Sequence, residues 1–396
     1  MRKRCVWLSL ILLLLCSCQT PSSAFTLKPG IDYPHESTVP IQRVTMTFTG
    51  DLLFETANYA DAQGDFSSYF AGIQPYLTGD YVVGNQEVVI GGETLGVSGD
   101  PFVFNAPAGL AKELADAGFN VLTLSNNHVY DKGLPGITNT LKNLSDAGIT
   151  AIGVTDDPKK ANTIPILEKN GIKIAVLTYT YAINRKPPAS LSFVTRVFLN
   201  SQREFDAQRE AQLRADIRAA KALSDAVIVA IHWGREFTYT LSDSQRDAAR
   251  VMNEEGVDLI IGNHPHTPQT ADVLTSATGH KTIVFYSLGN LVSGETDIYR
   301  TNDFFNAMFQ TGILVQATIV KNTSANRVVI DEIKIIPIVN HFEVGRRDFR
   351  LIPLVDYTEE WAALHAQHAT VPFFTKSFID EQMQFLYADF LNALEP

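Results

Sequence analysis

Short apolar and β-branched runs recur along the chain, separated by stretches whose apolar positions follow helical spacing. The strand-like runs are RVTMTFT (43–49), YVVGN (81–85), NVLTLS (120–125), IKIAVLTYTY (172–181), AVIVAI (226–231), VDLIIG (257–262) and TIVFYSL (282–288). This alternation is typical of an α/β domain whose strands pair largely in parallel. In such domains ligands bind beyond the carboxyl ends of the strands, so we look for chemistry there.

The helical stretches carry residues that commonly begin and end helices. A charged stretch, 201–223, predicts a solvated helix over the sheet. Three helices have recognisable ends: one capped at Asn105 that ends at Gly118, one from about Pro135 to Gly148, and one that opens with the capping-box pair Ser242 and Gln245 and ends at Gly256.

The pattern loosens after about residue 300. Two further strand-like runs follow, GILVQATIV (312–320) and VVIDEIKIIPIV (328–339), and the chain closes with a predicted helix. Its apolar positions share one face at helical spacing: Ile379, Met383, Leu386, Phe390 and Leu394. We therefore predict a main domain over 43–300 and a C-terminal extension, 301–396, whose strands and helix pack on it. A partner-binding role for the helix is the alternative.

The N-terminus has the pattern of an export signal. Three cationic residues precede an apolar run over 6–15, which is too short for the roughly twenty residues that span a bilayer. The run ends in LCSC, which resembles a bacterial lipobox, so we predict a signal peptide over 1–17 and lipidation at Cys18. An ordinary signal peptide is the alternative. Residues 18–42, rich in Pro, Ser and Thr, are predicted to be a flexible tether to a cell-envelope membrane, outside the cytoplasm.

Charge narrows the range of partners. Removing residues 1–17 takes away three positive charges and no negative ones, so the formal net charge changes from −11 to −14. An acidic surface argues against nucleic acid as a partner and against general electrostatic capture of a polyanion. Cys18 would be the one cysteine left, which excludes an intramolecular disulfide framework.

Side chains able to ligate a hard or borderline metal follow five of the predicted strands. They are Asp51, Glu87, the neighbours Asn127 and His128, His232, and the pair His264 and His266. The set contains no thiolate and suits Zn, Mn or Fe(II) without choosing among them. Leaving His128 aside, the set exceeds what one tetrahedral ion takes. We therefore predict two divalent ions about 3.5 to 4 Å apart, with Glu87 as the candidate bridge.

Two features refine this prediction. In an extended segment, residues two apart point to one side, so His264 and His266 can converge on one pocket on either side of Pro265.

Two adjacent ions activate water and bind an anionic oxygen, the usual arrangement for phosphoester hydrolysis. His128 is then the candidate catalytic acid. A hydrogen bond that orients a ligand is its alternative role.

The same residues lie in six short motifs: FTGD (48–51), GNQE (84–87), LSNNHVYDKG (124–133), IHWGREF (231–237), GNHPHTPQ (262–269) and YSLGN (286–290). These motifs resemble those of the CapA family of capsule-synthesis proteins, which is itself similar to the calcineurin-like metallophosphoesterases. The resemblance covers roughly 43–295. It implies a four-layer αββα sandwich of the metallophosphatase type, in which Asp51, Glu87, Asn127, His232, His264 and His266 ligate metal and His128 is the acid.

The resemblance also suggests residues around the ligands. Asn85, Glu236 and Asn290 are candidates for a supporting shell, with Asn290 shaping a loop near the site. Trp233 is as compatible with packing as with a functional role. Phosphoesterases usually carry a histidine two residues after the first aspartate, whereas this chain has Leu53, a change that the CapA family commonly shares.

The leading hypothesis is a surface-anchored, metal-dependent hydrolase that acts in synthesis, export or trimming of an anionic polymer such as poly-γ-glutamate. The alternative is a non-catalytic accessory subunit whose metal cleft binds polymer or organises a membrane synthase. A structural lipoprotein with merely solvated strand ends is a third reading. Because the chain is acidic, attraction of a polyanion would have to come from the metals and from a few local cations such as Arg185 or Arg235; either arginine can equally be an ordinary surface residue.

Overall fold

The computed structural model describes residues 25–27, 41–100, 103–296, 302–324 and 327–394. The predicted signal peptide, Cys18 and most of the predicted tether lie outside these ranges. None of the helices within them has both the length and the apolar character that a membrane span requires.

The strands of the described ranges are numbered in chain order. The first half contains β1 (Phe25–Leu27), β2 (Ile41–Leu52), β3 (Tyr81–Gln86), β4 (Ser98–Asp100), β5 (Val103–Asn105), β6 (Val121–Thr123), β7 (Thr150–Ile152), β8 (Ile166–Lys169) and β9 (Ile172–Thr180). The second half contains β10 (Ala226–His232), β11 (Leu259–Asn263), β12 (Ala271–Thr275), β13 (Lys281–Phe285), β14 (Asn290–Val292), β15 (Thr311–Asn322), β16 (Arg327–Glu343) and β17 (Arg347–Pro353).

The helices lie between and after these strands. They are α1 (Thr56–Ala62), α2 (Ser67–Phe70), α3 (Leu110–Ala117), α4 (Gly133–Asp146), α5 (Ala207–Lys221), α6 (Asp243–Glu255), α7 (Asp303–Met308), α8 (Glu359–Leu364), α9 (Ala366–Thr370) and α10 (Lys376–Leu394). The capping box of Ser242 and Gln245 forms both of its hydrogen bonds at the start of α6, and Gly256 ends that helix with φ 83°. Those predicted ends are confirmed.

The predicted cap at Asn105 is wrong. Asn105 ends β5, and α3 begins five residues later at Leu110. The Asn105 side chain instead accepts a hydrogen bond from the Gly91 backbone and donates to the carbonyls of Gly92 and Gly96. A polar side chain that satisfies a neighbouring loop in this way is unavailable to cap a helix.

Two large mixed sheets form the centre of the molecule. In the first sheet, β2, β3, β6 and β7 run parallel, while β15, β16 and β1 continue from β2 in antiparallel fashion. In the second sheet, β9, β10, β11 and β13 run parallel between the antiparallel edge strands β8 and β12. The predicted C-terminal extension thus supplies strands of the first sheet itself, and Phe25–Leu27 of the predicted tether pairs with β16.

The two sheets pack face to face, with helices on both outer faces. Met46 and Phe48 of β2 share a buried cluster with Ile228 of β10, which places that cluster between the sheets. Leu114 of α3 packs behind the first sheet, and Leu213 of α5 packs behind the second. The α/β fold class and the four-layer αββα arrangement are therefore confirmed.

A β-bulge in β2 sets the direction of Asp51. Phe48 pairs with Val83 and Asp51 pairs with Asn85, so β2 contains one residue more than β3 across this interval. An inserted residue reverses the alternation of side chains along a strand. Asp51 consequently continues the inward series of Met46 and Phe48, towards the space between the sheets.

Gly50 lies inside this bulge and has no room for a side chain. A Cβ atom there would lie 2.2 Å from the Gly289 carbonyl oxygen, which accepts a hydrogen bond from the Asp51 backbone at 2.9 Å. We expect Gly50→Ala to lower the free energy of unfolding by about 3 kcal/mol, because backbone must move to relieve the overlap. Urea denaturation measures this change.

Gly109 provides a matched control. Its φ is −60°, and a Cβ atom added there would meet nothing within 4 Å. Gly109→Ala should therefore leave stability unchanged or raise it by up to ~1 kcal/mol. Equal stability of the two variants would contradict the role assigned to Gly50.

Candidate metal centre

The carboxyl ends of the parallel strands in both sheets meet at one edge of the sandwich. Along β10, Val227, Val229 and Ile231 pack towards the outer helices, whereas Ile228 faces the other sheet. His232, four residues after Ile228, therefore faces the seam between the sheets. Side chains from strands of both sheets converge at this seam.

Two groups of potential ligands lie there, and they share Glu87. One group contains Glu87, His264 and His266, and the other contains Asp51, Glu87 and His232. Within each group the ligand atoms lie within 4.8 Å of one another, and every member is buried. These buried groups are compatible with divalent metal binding, and Glu87, the predicted bridge, is the member that both groups contain.

Asn127 completes the predicted set. Its Oδ1 lies 2.9 Å from Nε2 of His232, which itself lies 3.5 Å from Oε1 of Glu87. Nε2 of His266 approaches the same Glu87 oxygen at 3.6 Å. The structure thus brings all six predicted ligands together, and their role in binding metal stays a prediction.

Unsatisfied polar atoms test whether these residues fit metal ions. Among the described residues, both carboxylate oxygens of Glu87 and Nδ1 of His264 are buried without a hydrogen-bond partner. A buried carboxylate that lacks hydrogen bonds is costly unless a positive charge compensates it. Divalent cations between these atoms would supply that charge, so the donor set fits the predicted group.

The ionisable side chains of the cluster shift one another's pKa values. Burial raises the pKa of the Glu87 carboxyl, but His266 and His232 outweigh burial and hold that pKa below its usual range. Burial lowers the pKa of His266, whereas Glu87 and a hydrogen bond to Asp51 outweigh it and raise that pKa. For His264, burial and the nearby His232 both lower the pKa. The positive charge of His266 thus compensates the carboxylates of Glu87 and Asp51. Bound divalent cations would compensate the same carboxylates.

The backbone of the histidine pair differs from the prediction. His264 has φ 101° and His266 has φ 58°, so the segment is not extended. Positive φ is uncommon for residues other than glycine, and such strain is typical of functional sites. The His264 backbone N–H donates to Oδ2 of Asp51 at 3.1 Å, which ties this turn to β2. Convergence of the two imidazoles is therefore achieved by a left-handed turn.

Two of the predicted supporting residues contact ligands directly. Nδ2 of Asn85 donates to Oδ1 of Asp51 at 2.7 Å and lies 3.4 Å from Nδ1 of His232. Oδ1 of Asn290 lies 3.0 Å from Nδ1 of His266. Such contacts orient ligand side chains and tune their basicity.

Within the described ranges, Trp233, Arg235, Glu236 and Leu53 form no hydrogen bond with a candidate ligand, although the Glu236 carboxylate helps to raise the pKa of His266. Trp233 is fully buried, donates from Nε1 to the Tyr286 carbonyl at 2.8 Å and stacks on that ring, so it has a packing role. Arg235 and Glu236 are exposed. Leu53 is buried and offers no ligand atom.

His128 lies beside the candidate ligands with its own carboxylate partner. Nδ1 of His128 is 2.8 Å from Oδ2 of Asp131, and that oxygen also accepts from the Phe104 backbone at 2.8 Å. The contact directs Nε2 towards Asn184, whose Nδ2 is 3.5 Å away. Asp131 is a residue that the sequence analysis does not single out, although its position three residues after His128 in LSNNHVYDKG is a signal that indicates such a role.

The chain is similar to known bacterial capsule-synthesis proteins. A family model described as bacterial capsule synthesis protein PGA_cap matches residues 45–295. The capsule biosynthesis protein CapA of Bacillus anthracis is 31% identical over 262 residues, which cover 63% of this chain and 60% of that protein. The PGA biosynthesis protein CapA of Bacillus subtilis is 28% identical over 281 residues, which cover 68% of each chain.

The chain also has similarity to solved structures. A phosphatase from Mycoplasma pneumoniae aligns with a TM-score of 0.45 and 16% identity, over 76% of this chain and 95% of that one. The family model covers more than half of the present chain, and the motif-based prediction is confirmed. The chain belongs to the PGA_cap family of bacterial capsule synthesis proteins.

Proposed function

We propose that the protein is a metal-dependent hydrolase that acts on an anionic capsule polymer such as poly-γ-glutamate, during its synthesis, export or trimming. The observation that carries this proposal is the buried Glu87 carboxylate, which both ligand groups share and whose oxygens lack hydrogen bonds within the described structure. The names of the Bacillus relatives, which refer to capsule and PGA biosynthesis, support the polymer class.

When bound, two divalent cations would supply an activated water and positive charge for an anionic oxygen of the substrate. Asp51, Glu87, Asn127, His232, His264 and His266 would hold them. His128 has its Nδ1 engaged by Asp131, so Nε2 is the atom that exchanges a proton with the substrate. Burial of the ligands excludes bulk water and strengthens every electrostatic interaction in the centre.

We also propose that the protein is exported and anchored to an envelope membrane through a lipid on Cys18. The cationic, apolar and LCSC segments at the N-terminus support this proposal. A lipid anchor would place the metal centre near a membrane synthase that extrudes the polymer.

A non-catalytic accessory subunit is the second candidate. Leu53 favours it, because the position where phosphoesterases usually carry a histidine here offers no ligand atom. A centre with one ligand fewer would bind polymer through its cations without activating water as effectively. Turnover separates the two candidates.

Metal content tests the proposal first. Purified protein stripped by a chelator and reloaded with Mn²⁺ or Zn²⁺ should bind two ions per chain, measured by elemental analysis after desalting. The reloaded protein should hydrolyse an aryl phosphoester or a γ-glutamyl polymer, and the stripped protein should not. Absence of stoichiometric metal would overturn both candidates. Two ions without turnover of any substrate would favour the accessory subunit.

A further inference from the structure

The loop between β9 and α5, residues 181–206, covers one side of the metal centre. Its backbone is tied to candidate ligands: Tyr181 N–H donates to the His232 carbonyl at 2.9 Å, and Asn184 N–H donates to the Asn127 carbonyl at 2.8 Å. Because these hydrogen bonds fix the start of the loop, its side chains have defined positions relative to the centre.

Arg203 is linked to the centre through an aromatic ring. Its Cζ lies 5.3 Å from the centre of the Tyr181 ring, and that ring stacks on His264 with centroids 4.3 Å apart. The Arg203 side chain is exposed, and its φ of 62° is one that residues other than glycine seldom adopt. A cation fixed over an aromatic ring beside a candidate ligand is well placed to meet an anion at the centre.

Arg185 occupies a corresponding position beside His128. Its Nη1 donates to the backbone carbonyl of Asp131, the residue whose carboxylate holds His128. A guanidinium has five N–H donors in a planar fork, so this contact leaves others able to reach a carboxylate or phosphate. The Arg185 side chain is exposed.

These two arginines matter because the chain as a whole repels anions. The formal net charge is −11 before any processing, and exposed charges more than about 8 to 10 Å away are largely screened at physiological salt. Attraction of an anionic substrate must therefore come from the bound metal ions and from cationic side chains next to them. Arg203 lies on the His264 side and Arg185 on the His128 side, so an extended chain with repeated negative charges can contact both.

We infer that Arg185 and Arg203 are paired anion-binding residues that select a polymer of repeated carboxylates over a single small anion. This inference rests on the proposed function and names the side chains that recognise its substrate class. Simultaneous engagement of two positions strengthens binding of a polymer far more than that of a monomer. The two arginines should therefore affect polymer binding and KM more than chemistry on small substrates.

Binding of fluorescently labelled poly-γ-glutamate to the metal-loaded full chain tests this inference. Arg203→Ala and Arg185→Ala should each weaken binding about tenfold in fluorescence anisotropy, since each removes charge-assisted contacts. Metal content should stay at the wild-type level, and hydrolysis of a small aryl phosphoester, which carries a single anionic group, should fall by a smaller factor than polymer binding. Arg250→Ala on α6, which removes an exposed guanidinium from an outer helix, is the matched control and should bind the polymer like wild type.

Wild-type affinity in both loop variants, or failure of the wild-type protein to bind the polymer, would overturn the inference. Polymer binding that depends on both arginines in a protein without hydrolytic activity would uphold it while the hydrolase proposal failed. If Arg203→Ala loses metal or does not fold, Arg203→Lys replaces it in the binding assay. Lysine keeps the charge of arginine but not its planar fork of donors. The polymer affinity of Arg203→Lys should therefore lie between that of the wild-type protein and that of Arg203→Glu. Equal affinities of all three proteins would refute anion binding by Arg203.

Discussion

Glu87→Gln is expected to reduce the bound metal from two ions per chain to fewer than one and to lower turnover by about a thousandfold, which corresponds to ~4 kcal/mol of transition-state stabilisation. The physical reason is the position of Glu87 in both ligand groups. An amide has the size of a carboxylate but lacks the charge that draws cations into a buried centre. Elemental analysis and turnover of the reloaded protein measure the two effects.

Thermal unfolding gives an independent readout of the same change. At a free metal concentration of one hundred times Kd, binding stabilises the folded state by about 2.7 kcal/mol per site. That stabilisation should be present in the wild-type protein and nearly absent in Glu87→Gln. Glu93→Gln is the matched control, because Glu93 is exposed in the turn Glu93–Leu95 and belongs to neither ligand group. Two tightly bound ions in Glu87→Gln would refute the bridging position.

The convergence of the candidate ligands could be predicted from the sequence, because it depends on the topology of the sheets. Apolar runs separated by helical segments indicate parallel strands, and the carboxyl ends of parallel strands share an edge. Asp51, Glu87 and His232 follow such runs, so their convergence required only that the runs pair in parallel. The ends of α6 were predictable as well, because the capping box and Gly256 act within a few residues of the helix.

The detailed directions of these side chains were not predictable, because they depend on contacts between distant segments. The bulge that turns Asp51 inward is fitted against the Gly289 backbone, more than two hundred residues away in the chain. The left-handed turns at His264 and His266 are likewise held by contacts to Asp51 and not by local propensity. The period of two along a strand predicted that the imidazoles of His264 and His266 converge, and the structure shows this. It also predicted an extended backbone, whereas both residues have positive φ.

The contacts made by the loop between β9 and α5 were the hardest feature to predict from the sequence. Arg203 lies in a charged stretch whose composition predicted a solvated helix, whereas the structure begins α5 at Ala207 and leaves Arg203 in the preceding loop. Asp206 supplies the reason, since its side chain accepts a hydrogen bond from the Arg209 backbone and caps the helix there. The contact of Arg203 with Tyr181 then depends on how the loop folds back over β9.

His128→Asn should lower kcat by about 10²- to 10⁴-fold while leaving two metal ions bound, the range usual for loss of a positioned proton donor. Asparagine can still donate to Asp131 at the position of the imidazole Nδ1, but it cannot transfer a proton. Steady-state kinetics of the metal-loaded protein with an aryl phosphoester and with a γ-glutamyl polymer give the loss in kcat, and elemental analysis gives the metal content.

Asp131→Asn adds a second test of the same geometry. Asp131 is buried and touches His128 rather than the ligands, so its amide variant should lose less activity than His128→Asn, and the double variant should lose little more than His128→Asn alone. His280→Asn is the control: that imidazole bonds the Val257 carbonyl at the opposite ends of the strands and should leave kcat unchanged. If His128→Asn kept full turnover, His128 would have only an orienting role. Capsule polymer formed normally in cells carrying the variant would favour the accessory subunit, because a scaffold requires the metal cleft but not a proton donor.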